Sequence, residues 1–479
     1  MKLHELSAVE LSEKIKNSDI TSEEVTKIFL DRINSIDEKT GAFVSVNSEK
    51  ALKEAREYGK KENSSPLHGV PIAIKDNILS IGDLTTSASK ILDNYIGIYD
   101  STVVKKIKES CMPILGKTNM DEFAMGSSNE NSGIKPVSNV WDTDRVPGGS
   151  SGGSATAVAA GEAPVALGTD TGGSVRQPAA LSGVVGIKPT YGRVSRYGLM
   201  AFGSSLDQIG VFSKTVRDAA ETLKVIAGYD EMDSTSADVP VDNYTEYLNR
   251  DIKGLKIGIP KEYFAESLDS EIKKVIDNSI NMLKEQGAEI REISLPHTKY
   301  AVPTYYIIAC AEAASNLARY DGVRYGYRGD NSSIEDMYVK SRTQGLGKEV
   351  KRRIMLGNYV LSSGFYDAYY KKASQVRRLI KNDFDKALEE VDVILTPTSP
   401  VLPFKKGEKM EDPVQMYLAD IYTVSINLAG LPGISVPAGF VDGLPVGLQI
   451  IGKFFDEATL FRISDKFEKI RGKITYPEL

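Results

Sequence analysis

The sequence predicts an α/β protein built on one central mixed β-sheet with helices on both faces. Short runs of β-forming residues recur between residues 42 and 451, and helical patterns separate most of them. This alternation is typical of chains that form a mostly parallel or mixed sheet. The composition, 41% hydrophobic and 26% charged, is that of an ordinary globular protein. It excludes collagen, coiled coil and wholesale disorder.

The chain begins with two predicted helices. Ser7 with Glu10, and Thr21 with Glu24, each form the pattern of a capping box, in which a side chain and a backbone N–H bond reciprocally. Nine strands follow. They are predicted at residues 42–46, 69–74, 114–115, 165–167, 184–187, 256–259, 391–395, 434–436 and 446–451.

We interpret the 479 residues as a single domain, although the length alone would permit two or three. N-terminal helices are expected over about 1–65. The core of the domain is expected over about 66–260 and 391–479. Residues from about 265 to 390 read mainly as helices rich in Tyr, Lys and Arg, and we interpret them as a helical layer or insert on the core.

Charge and cysteine usage restrict the partners and the compartment. Lys plus Arg number 59 against 65 Asp plus Glu, so the chain lacks the basic footprint of phosphate-dominated nucleic-acid binding, and we expect no DNA partner. Cys111 and Cys310 fit no disulfide or metal-ligand spacing and are expected to be buried free thiols of a reducing compartment. The apolar run 155–168 is interrupted by Glu162 and Pro164, so we expect a cytoplasmic protein without a membrane span.

Histidine is scarce, which limits the choice of catalytic base. The three histidines are His4, His68 and His297, and none has a second histidine or a carboxylate at a metal-binding spacing. We expect no metal site. A hydrolase built on this sequence needs a base other than histidine, unless His68 is recruited.

Two glycine-rich segments, residues 148–154 (GGSSGGS) and 168–174 (GTDTGGS), predict tight loops with exposed N–H groups that can receive a negative oxygen. One alternative is a phosphate. Neither segment has the lysine of a Walker loop or the glycine spacing of a Rossmann turn, which disfavours nucleotide binding. The other alternative is the oxyanion of an acyl-transfer intermediate.

Ser174 and Lys75 are the candidate nucleophile and base. Ser174 lies shortly after the predicted strand 165–167, in a turn whose N–H groups can converge on an oxyanion. Lys75 ends the apolar run 69–74, where loss of hydration lowers a lysine pKa and favours the neutral base. Asp76 is adjacent, but side chains next to each other on a strand point to opposite faces, so it need not keep the lysine protonated.

Together these segments resemble the amidase signature family. The spacings agree with that family, since 174 − 150 = 24 and 174 − 75 = 99 residues. The resemblance implies an amidase-signature fold over nearly the whole chain. It is carried by residues 69–76 (GVPIAIKD), 148–154 (GGSSGGS), 168–178 (GTDTGGSVRQP) and 186–193 (GIKPTYGR).

The resemblance also implies a Ser–cisSer–Lys triad. Ser174 would form the acyl-enzyme, and Ser150, which follows a cis peptide bond in this family, would pass its proton to Lys75. Three neighbours, Ser151, Asp170 and Arg176, would support the loop without taking part in the chemistry. The oxyanion hole would consist of the backbone N–H groups of Thr171, Gly172, Gly173 and Ser174.

Further stretches resemble one branch of the family, the glutaminase subunits of tRNA-dependent amidotransferases. The resemblance implies two partners, the B and C subunits of a heterotrimer, with acylated tRNA held by the B subunit. It implies no cofactor in this chain, ATP and Mg²⁺ being used by the assembled complex. Whether the acceptor is Glu-tRNA(Gln), Asp-tRNA(Asn) or both stays open. The stretches are 125–133 (MGSSNENSG), 141–147 (WDTDRVP), 195–199 (SRYGL), 351–357 (KRRIMLG) and 427–435 (NLAGLPGIS).

A free glutamine needs a cation for its carboxylate and an anion for its ammonium. By the resemblance these are Arg353 and Asp420, with Tyr305 and Ser127 as pocket walls. Arg352 is the competing cation, and since adjacent helical residues point about 100° apart, only one of the two arginines should face the pocket.

Two rival functions remain at this point. A free-standing amidase acting on a small aliphatic or aryl amide would use identical Lys–Ser–Ser chemistry, and only the substrate-binding residues and the subunit-like stretches separate it from a glutaminase. A non-enzymatic scaffold of the same fold is disfavoured because all three chemical residues are present.

Overall fold

The structure is a computed structural model. It describes residues 2–62, 65–264, 268–330, 333–409 and 413–479. Residue 265, where the predicted helical layer begins, lies outside the described residues. So do residues 63 and 64 of the predicted N-terminal helices and residues 410–412 of the predicted core.

The strands form one eleven-stranded mixed sheet, in the order β1-β3-β2-β4-β6-β5-β10-β11-β9-β7-β8. Pairing is parallel between β3, β2 and β4 and between β9, β7 and β8, and antiparallel at the other neighbours. The strands are β1 (Phe43–Val46), β2 (Ile72–Lys75), β3 (Ile114–Thr118), β4 (Val165–Asp170), β5 (Val185–Lys188), β6 (Gln208–Ser213), β7 (Lys256–Pro260), β8 (Glu289–Ile293), β9 (Val393–Pro397), β10 (Gly433–Val441) and β11 (Leu444–Ile451).

Fifteen α-helices pack around this sheet in the described part of the chain. Both predicted capping boxes are confirmed, at Ser7 and at Thr21. The helices are α1 (Ala8–Lys16), α2 (Ser22–Thr40), α3 (Ser48–Tyr58), α4 (Thr102–Glu109), α5 (Gly152–Ala159), α6 (Arg176–Ser182), α7 (Val216–Ile226), α8 (Ser270–Glu285), α9 (Ala301–Asn316), α10 (Ile334–Gly345), α11 (Lys348–Leu361), α12 (Lys372–Glu390), α13 (Pro413–Leu418), α14 (Val424–Ala429) and α15 (Glu457–Arg471).

The centre of the sheet is covered on both faces, as predicted. Every residue of β4, β6, β9 and β11 is buried. Successive residues of a strand point to opposite faces, so complete burial requires packing on both sides. Within the described residues, no helix has the length and apolar character needed to cross a membrane.

All nine predicted strands are present, and two further strands were not predicted. One is β6, which pairs with both β4 and β5 in the middle of the sheet. The other is β8, which lies inside the stretch that we expected to form a helical layer and extends the sheet beyond β7. Strand β8 is an exposed edge strand and carries the charged residues Glu289, Arg291 and Glu292. It therefore lacks the apolar run from which the other strands were predicted.

The sheet order places the predicted chemical residues together at the carboxyl ends of two neighbouring central strands. Strands β2 and β4 are parallel neighbours, with Ala73 opposite Ala166 and Ile74 opposite Leu167. Their carboxyl ends therefore meet, which brings Lys75, the last residue of β2, beside the glycine-rich turn that follows β4. The other glycine-rich segment leads into α5, which packs against β2 and β4.

Candidate active site

Lys75 lies at the centre of the site, and its ammonium nitrogen is surrounded by oxygen atoms. Nζ donates to Ser150 Oγ and Ser151 Oγ, both at 2.8 Å, and to Thr169 Oγ1 at 2.9 Å. The Thr169 carbonyl oxygen is a fourth acceptor at 3.4 Å. The lysine predicted to be the base is therefore bonded directly to the serine predicted to relay its proton.

Burial lowers the pKa of Lys75 to about 7, although the nearby carboxylates Asp121, Asp170 and Asp207 act to raise it. Desolvation disfavours the ammonium form more than those carboxylates favour it. The carboxylate of Asp76 points away from Lys75, as predicted, and accepts from the backbone N–H groups of Thr86 and Ala88. A lysine with this pKa is substantially neutral at physiological pH and can accept a proton.

A backbone hydrogen bond joins the two segments that carry Ser150 and Ser174. The Gly149–Ser150 peptide bond is cis, and the Ser150 carbonyl accepts from the Asp121 N–H at 3.0 Å. The N–H of Ser151 donates to the carbonyl of Ser174 at 3.3 Å, which joins the two glycine-rich segments. Ser150 is fully buried, whereas Ser174 is 8% exposed. Ser174 is thus the serine open to an incoming substrate.

A buried ion pair shapes the turn that carries Ser174. Arg176 donates to both carboxylate oxygens of Asp170, at 3.0 and 3.1 Å, and neither side chain is exposed. Burial acts to raise the pKa of Asp170, but the Arg176 guanidinium outweighs it and holds that pKa at about 2. Arg176 is fixed in turn by Gln449 Oε1 at 2.7 Å and Asn427 Oδ1 at 2.5 Å. The predicted supporting role of this pair accords with these contacts.

The four N–H groups predicted for the oxyanion hole are not equivalent. The Gly173 N–H donates to Asp170 Oδ1 at 2.9 Å, so it already has an acceptor inside the turn. Among the described residues, no acceptor is bonded to the N–H groups of Thr171, Gly172 and Ser174. These three remain available as donors.

The turn needs glycine at its centre because other side chains pack against it. A Cβ on Gly172 would lie 2.5 Å from Tyr305 Cζ. At Gly173, where φ is +133°, a Cβ would lie 2.1 Å from Thr423 Oγ1. The Thr423 hydroxyl donates to the Gly172 carbonyl at 2.7 Å and so fixes the peptide plane. Tyr305 thereby forms a wall beside the oxyanion loop, where a pocket wall was predicted.

The residues predicted to bind glutamine are likewise buried near this turn. The Ser127 hydroxyl donates to Asp420 Oδ2. Burial raises the pKa of Asp420 to about 7, against the opposing effects of Ser127 and the Arg353 guanidinium. Ser127 also connects to the chemical centre, because Gln177 bonds both to its carbonyl and to the Gly149 N–H.

Of the two competing arginines, Arg353 points inward. It is 2% exposed and its guanidinium lies near three aromatic rings, with ring centroids at 5.1 Å for Tyr306, 5.5 Å for Tyr417 and 5.6 Å for Phe202. The Arg352 side chain is 33% exposed. The 100° separation of adjacent helical residues accounts for this division.

Several residues at the site were not predicted from the sequence. Thr169 supplies two of the oxygens around Lys75, and Asn77 Nδ2 donates to Thr169 Oγ1 at 3.1 Å. Glu349 binds the Arg353 guanidinium at 2.7 Å. Glu349 lies four residues before Arg353 on α11, and this spacing could have predicted an ion pair between them. For Thr169, the sequence offered no signal beyond the motif that contains it.

Two other sequence predictions bear on the chemistry. His68 bonds to the Tyr58 carbonyl at 3.0 Å and has no contact with the triad, so it is not recruited as a base. Cys111 and Cys310 are both buried free thiols, as predicted. Within the ranges that the structure describes, no group of His, Cys, Asp and Glu side chains could hold a metal ion.

Known proteins of one family are similar to this chain along most of its length. The sequence profile of the Amidase family matches residues 24–461. The A subunit of the glutamyl-tRNA(Gln) amidotransferase from Fusobacterium nucleatum is 60% identical, with 100% of this chain and 99% of that protein aligned. The corresponding protein of Carboxydothermus hydrogenoformans is also 60% identical, over 98% of each chain.

Solved structures show the same fold. The crystal structure of the glutamyl-tRNA(Gln) amidotransferase A subunit from Thermotoga maritima superposes with a TM-score of 0.85 at 44% identity, covering 100% of this chain and 98% of that one. A bacterial aryl acylamidase gives a TM-score of 0.86 at 26% identity, over 97% and 96% of the two chains. The Lys75–Ser150 contact, the Ser174 turn and these full-length matches lead to one conclusion: the chain belongs to the Amidase family.

Proposed function

We propose that this chain is the glutaminase subunit of a tRNA-dependent amidotransferase, a carbon–nitrogen ligase complex. The observation that carries the proposal is the pair of opposite charges buried beside an amidase triad. Arg353 suits the α-carboxylate of glutamine and Asp420 suits its α-ammonium. A simple aliphatic or aryl amide would need neither charge.

The proposed reaction begins with attack of Ser174 Oγ on the side-chain carboxamide carbon of glutamine. The Ser174 proton passes to Ser150 Oγ, and the Ser150 proton passes to Lys75 Nζ, which lies 2.8 Å away. Negative charge develops on the amide oxygen, where the N–H groups of Thr171, Gly172 and Ser174 would bind it.

Collapse of this intermediate breaks the carbon–nitrogen bond. The leaving nitrogen takes a proton from Ser150, which is replenished from the Lys75 ammonium, and departs as ammonia. A γ-glutamyl ester on Ser174 remains. Water attacks this ester and gives its proton to the same Ser150–Lys75 relay. The bond between the acyl carbon and Ser174 Oγ then breaks, the relay returns the proton to Ser174 Oγ, and glutamate is released. The lysine ends as it began, neutral.

Relatives that are A subunits of glutamyl-tRNA(Gln) amidotransferases support the wider assignment. In the proposed complex, the B and C subunits complete a heterotrimer. The B subunit holds the acylated tRNA. It uses the released ammonia to convert Glu-tRNA(Gln) to Gln-tRNA(Gln), or Asp-tRNA(Asn) to Asn-tRNA(Asn). ATP and Mg²⁺ are consumed by that complex, and this chain itself needs no cofactor. We place the complex in the cytoplasm, where aminoacylated tRNA is made and used.

Co-purification from the source cell tests the assembly. We expect this chain to be recovered with one larger and one small subunit, identified by mass. Recovery as a lone monomer or homo-oligomer would overturn the assembly and would favour a free-standing amidase for small amides.

Substitution in the recovered complex tests the chemistry. Ser174→Ala is expected to reduce glutamine hydrolysis by at least about 10³-fold, because the nucleophile is removed. Ser374→Ala, at an exposed position of α12, is the matched control and should hydrolyse glutamine normally. Near-normal ammonia release by Ser174→Ala would refute the triad.

A further inference from the structure

Glu349 occupies an unusual place for a carboxylate, buried on the side of the Arg353 guanidinium away from its terminal nitrogens. Its Oε1 accepts from Arg353 Nε at 2.7 Å and from the Tyr417 hydroxyl at 3.0 Å. Its Oε2 accepts from Arg352 Nη1. One carboxylate thus binds three donors from two separate helices, α11 and α13.

This contact uses only one edge of the guanidinium. A guanidinium has five N–H donors in a planar fork, and Glu349 engages Nε. No described residue accepts a hydrogen bond from Arg353 Nη1 or Nη2. The Nη1–Nη2 edge can bind a carboxylate with two parallel hydrogen bonds. The geometry therefore leaves that edge available to a ligand.

The buried Arg353 guanidinium needs a counter-ion. Arg353 is buried beside three aromatic rings, and Tyr306 and Tyr417 stack with centroids 3.8 Å apart next to it. Removing one partner of a buried ion pair leaves an uncompensated charge at high cost. The alternative carboxylate within the pocket is Asp420, whose pKa burial raises to about 7 although the Arg353 guanidinium acts to lower it. Pairing of Arg353 with Asp420 would neutralise both substrate-binding charges.

We infer that Glu349 is a positioning residue for substrate recognition: it anchors Arg353 by its Nε edge and keeps the opposite edge directed at the α-carboxylate of the substrate. This inference rests on the proposed glutamine site. It adds that selectivity for an amino-acid amide over a neutral amide depends on a residue that does not touch the substrate.

The test compares Glu349→Gln with the wild type in the assembled complex, using two substrates. One is glutamine. The other is 4-aminobutanamide, which is glutamine without its α-carboxylate. We expect Glu349→Gln to lower kcat/KM for glutamine by about 10- to 100-fold, mainly through KM, since a hydrogen bond to a charged group is lost or misdirected. For 4-aminobutanamide, kcat/KM should change less than about threefold.

A double-mutant cycle separates positioning from a merely structural role. In an Arg353→Gln background, adding Glu349→Gln should raise KM for glutamine by less than about threefold, because the residue that Glu349 orients is already gone. Glu389→Gln, exposed at the end of α12, is the matched control and should leave both substrates unaffected. Thermal unfolding of each variant monitors folding.

The outcomes are distinct. Equal losses on both substrates, or additive effects in the cycle, would overturn the positioning role while leaving the glutaminase intact. A wild-type complex that hydrolyses 4-aminobutanamide as well as glutamine would instead overturn the proposed glutamine site, and the role of Glu349 with it.

Discussion

Replacing Thr169 with valine should make Lys75 a weaker base and shift the activity toward lower pH. Thr169 Oγ1 accepts from Lys75 Nζ at 2.9 Å and from Asn77 Nδ2 at 3.1 Å. Valine has nearly the same shape but no acceptor. Because an oxygen that accepts from Nζ stabilises the ammonium form, its removal favours the neutral lysine.

The size of the shift follows from the strength of that bond. A hydrogen bond to a charged group contributes about 1.5–3 kcal/mol, and one pKa unit corresponds to about 1.4 kcal/mol. The pKa of Lys75, about 7 in the wild type, should therefore fall by roughly one to two units. With a shift of one unit, the neutral fraction at pH 5.5 rises about eightfold.

The assay is the pH dependence of kcat at saturating glutamine. Under saturation the substrate ammonium keeps Asp420 ionised, so Asp420 does not contribute to the acid limb. Activity is lost as pH falls through the pKa of the base, and in Thr169→Val this loss should occur at lower pH than in the wild type. An acid limb that stays in place or moves to higher pH would show that the Thr169 hydroxyl does not stabilise the Lys75 ammonium.

Stability is a necessary control for the same variant. The valine leaves Asn77 Nδ2 without its acceptor, which costs about 1–3 kcal/mol of folding free energy. Thr222→Val removes a buried hydroxyl that bonds to the Asp218 carbonyl on α7, away from the triad. It should keep the wild-type pH profile.

Three further substitutions test other parts of the site. Lys75→Arg should lower kcat about 10²–10⁴-fold at every pH tested, because a guanidinium stays protonated; recovery at high pH would contradict the base assignment. Gly172→Ala places a methyl group against Tyr305 and should lower kcat about 10²–10³-fold, measured by steady-state kinetics. Asp170→Asn leaves Arg176 unpaired and should destabilise the fold by about 3–5 kcal/mol at neutral pH. Because the wild-type pKa of Asp170 is lowered to about 2, this deficit should shrink as pH falls toward 2 in unfolding experiments.

Helices and strands were predictable where the local sequence pattern matches the burial that the element has in the folded protein. The capping boxes at Ser7 and Thr21 depend on contacts three residues apart, so the sequence specifies them directly. The nine predicted strands are short runs of β-forming residues, several of them buried throughout. The missed strand β8 is an exposed edge whose charged residues resemble those of a surface helix or loop. Position in the sheet, not composition, makes it a strand.

The site was predictable to the level of residue type. The scarcity of histidine and the apolar run before Lys75 pointed to a lysine base, and the glycine-rich turn pointed to Ser174. The unequal roles of the four N–H groups in that turn were not predictable. The acceptor of the Gly173 N–H is Asp170, whose orientation is set by Arg176.

The sequence was enough to nominate the candidate chemical residues, since short motifs encode a buried strand end, two tight turns and their serines. Only the tertiary structure decided what surrounds them. Thr169 reaches Lys75 because β2 and β4 pair in parallel. Arg176 is fixed by Asn427 and Gln449, which lie 251 and 273 residues further along the chain. The physical reason is range: hydrogen bonds between distant segments depend on the order of strands in the sheet, which no local pattern records.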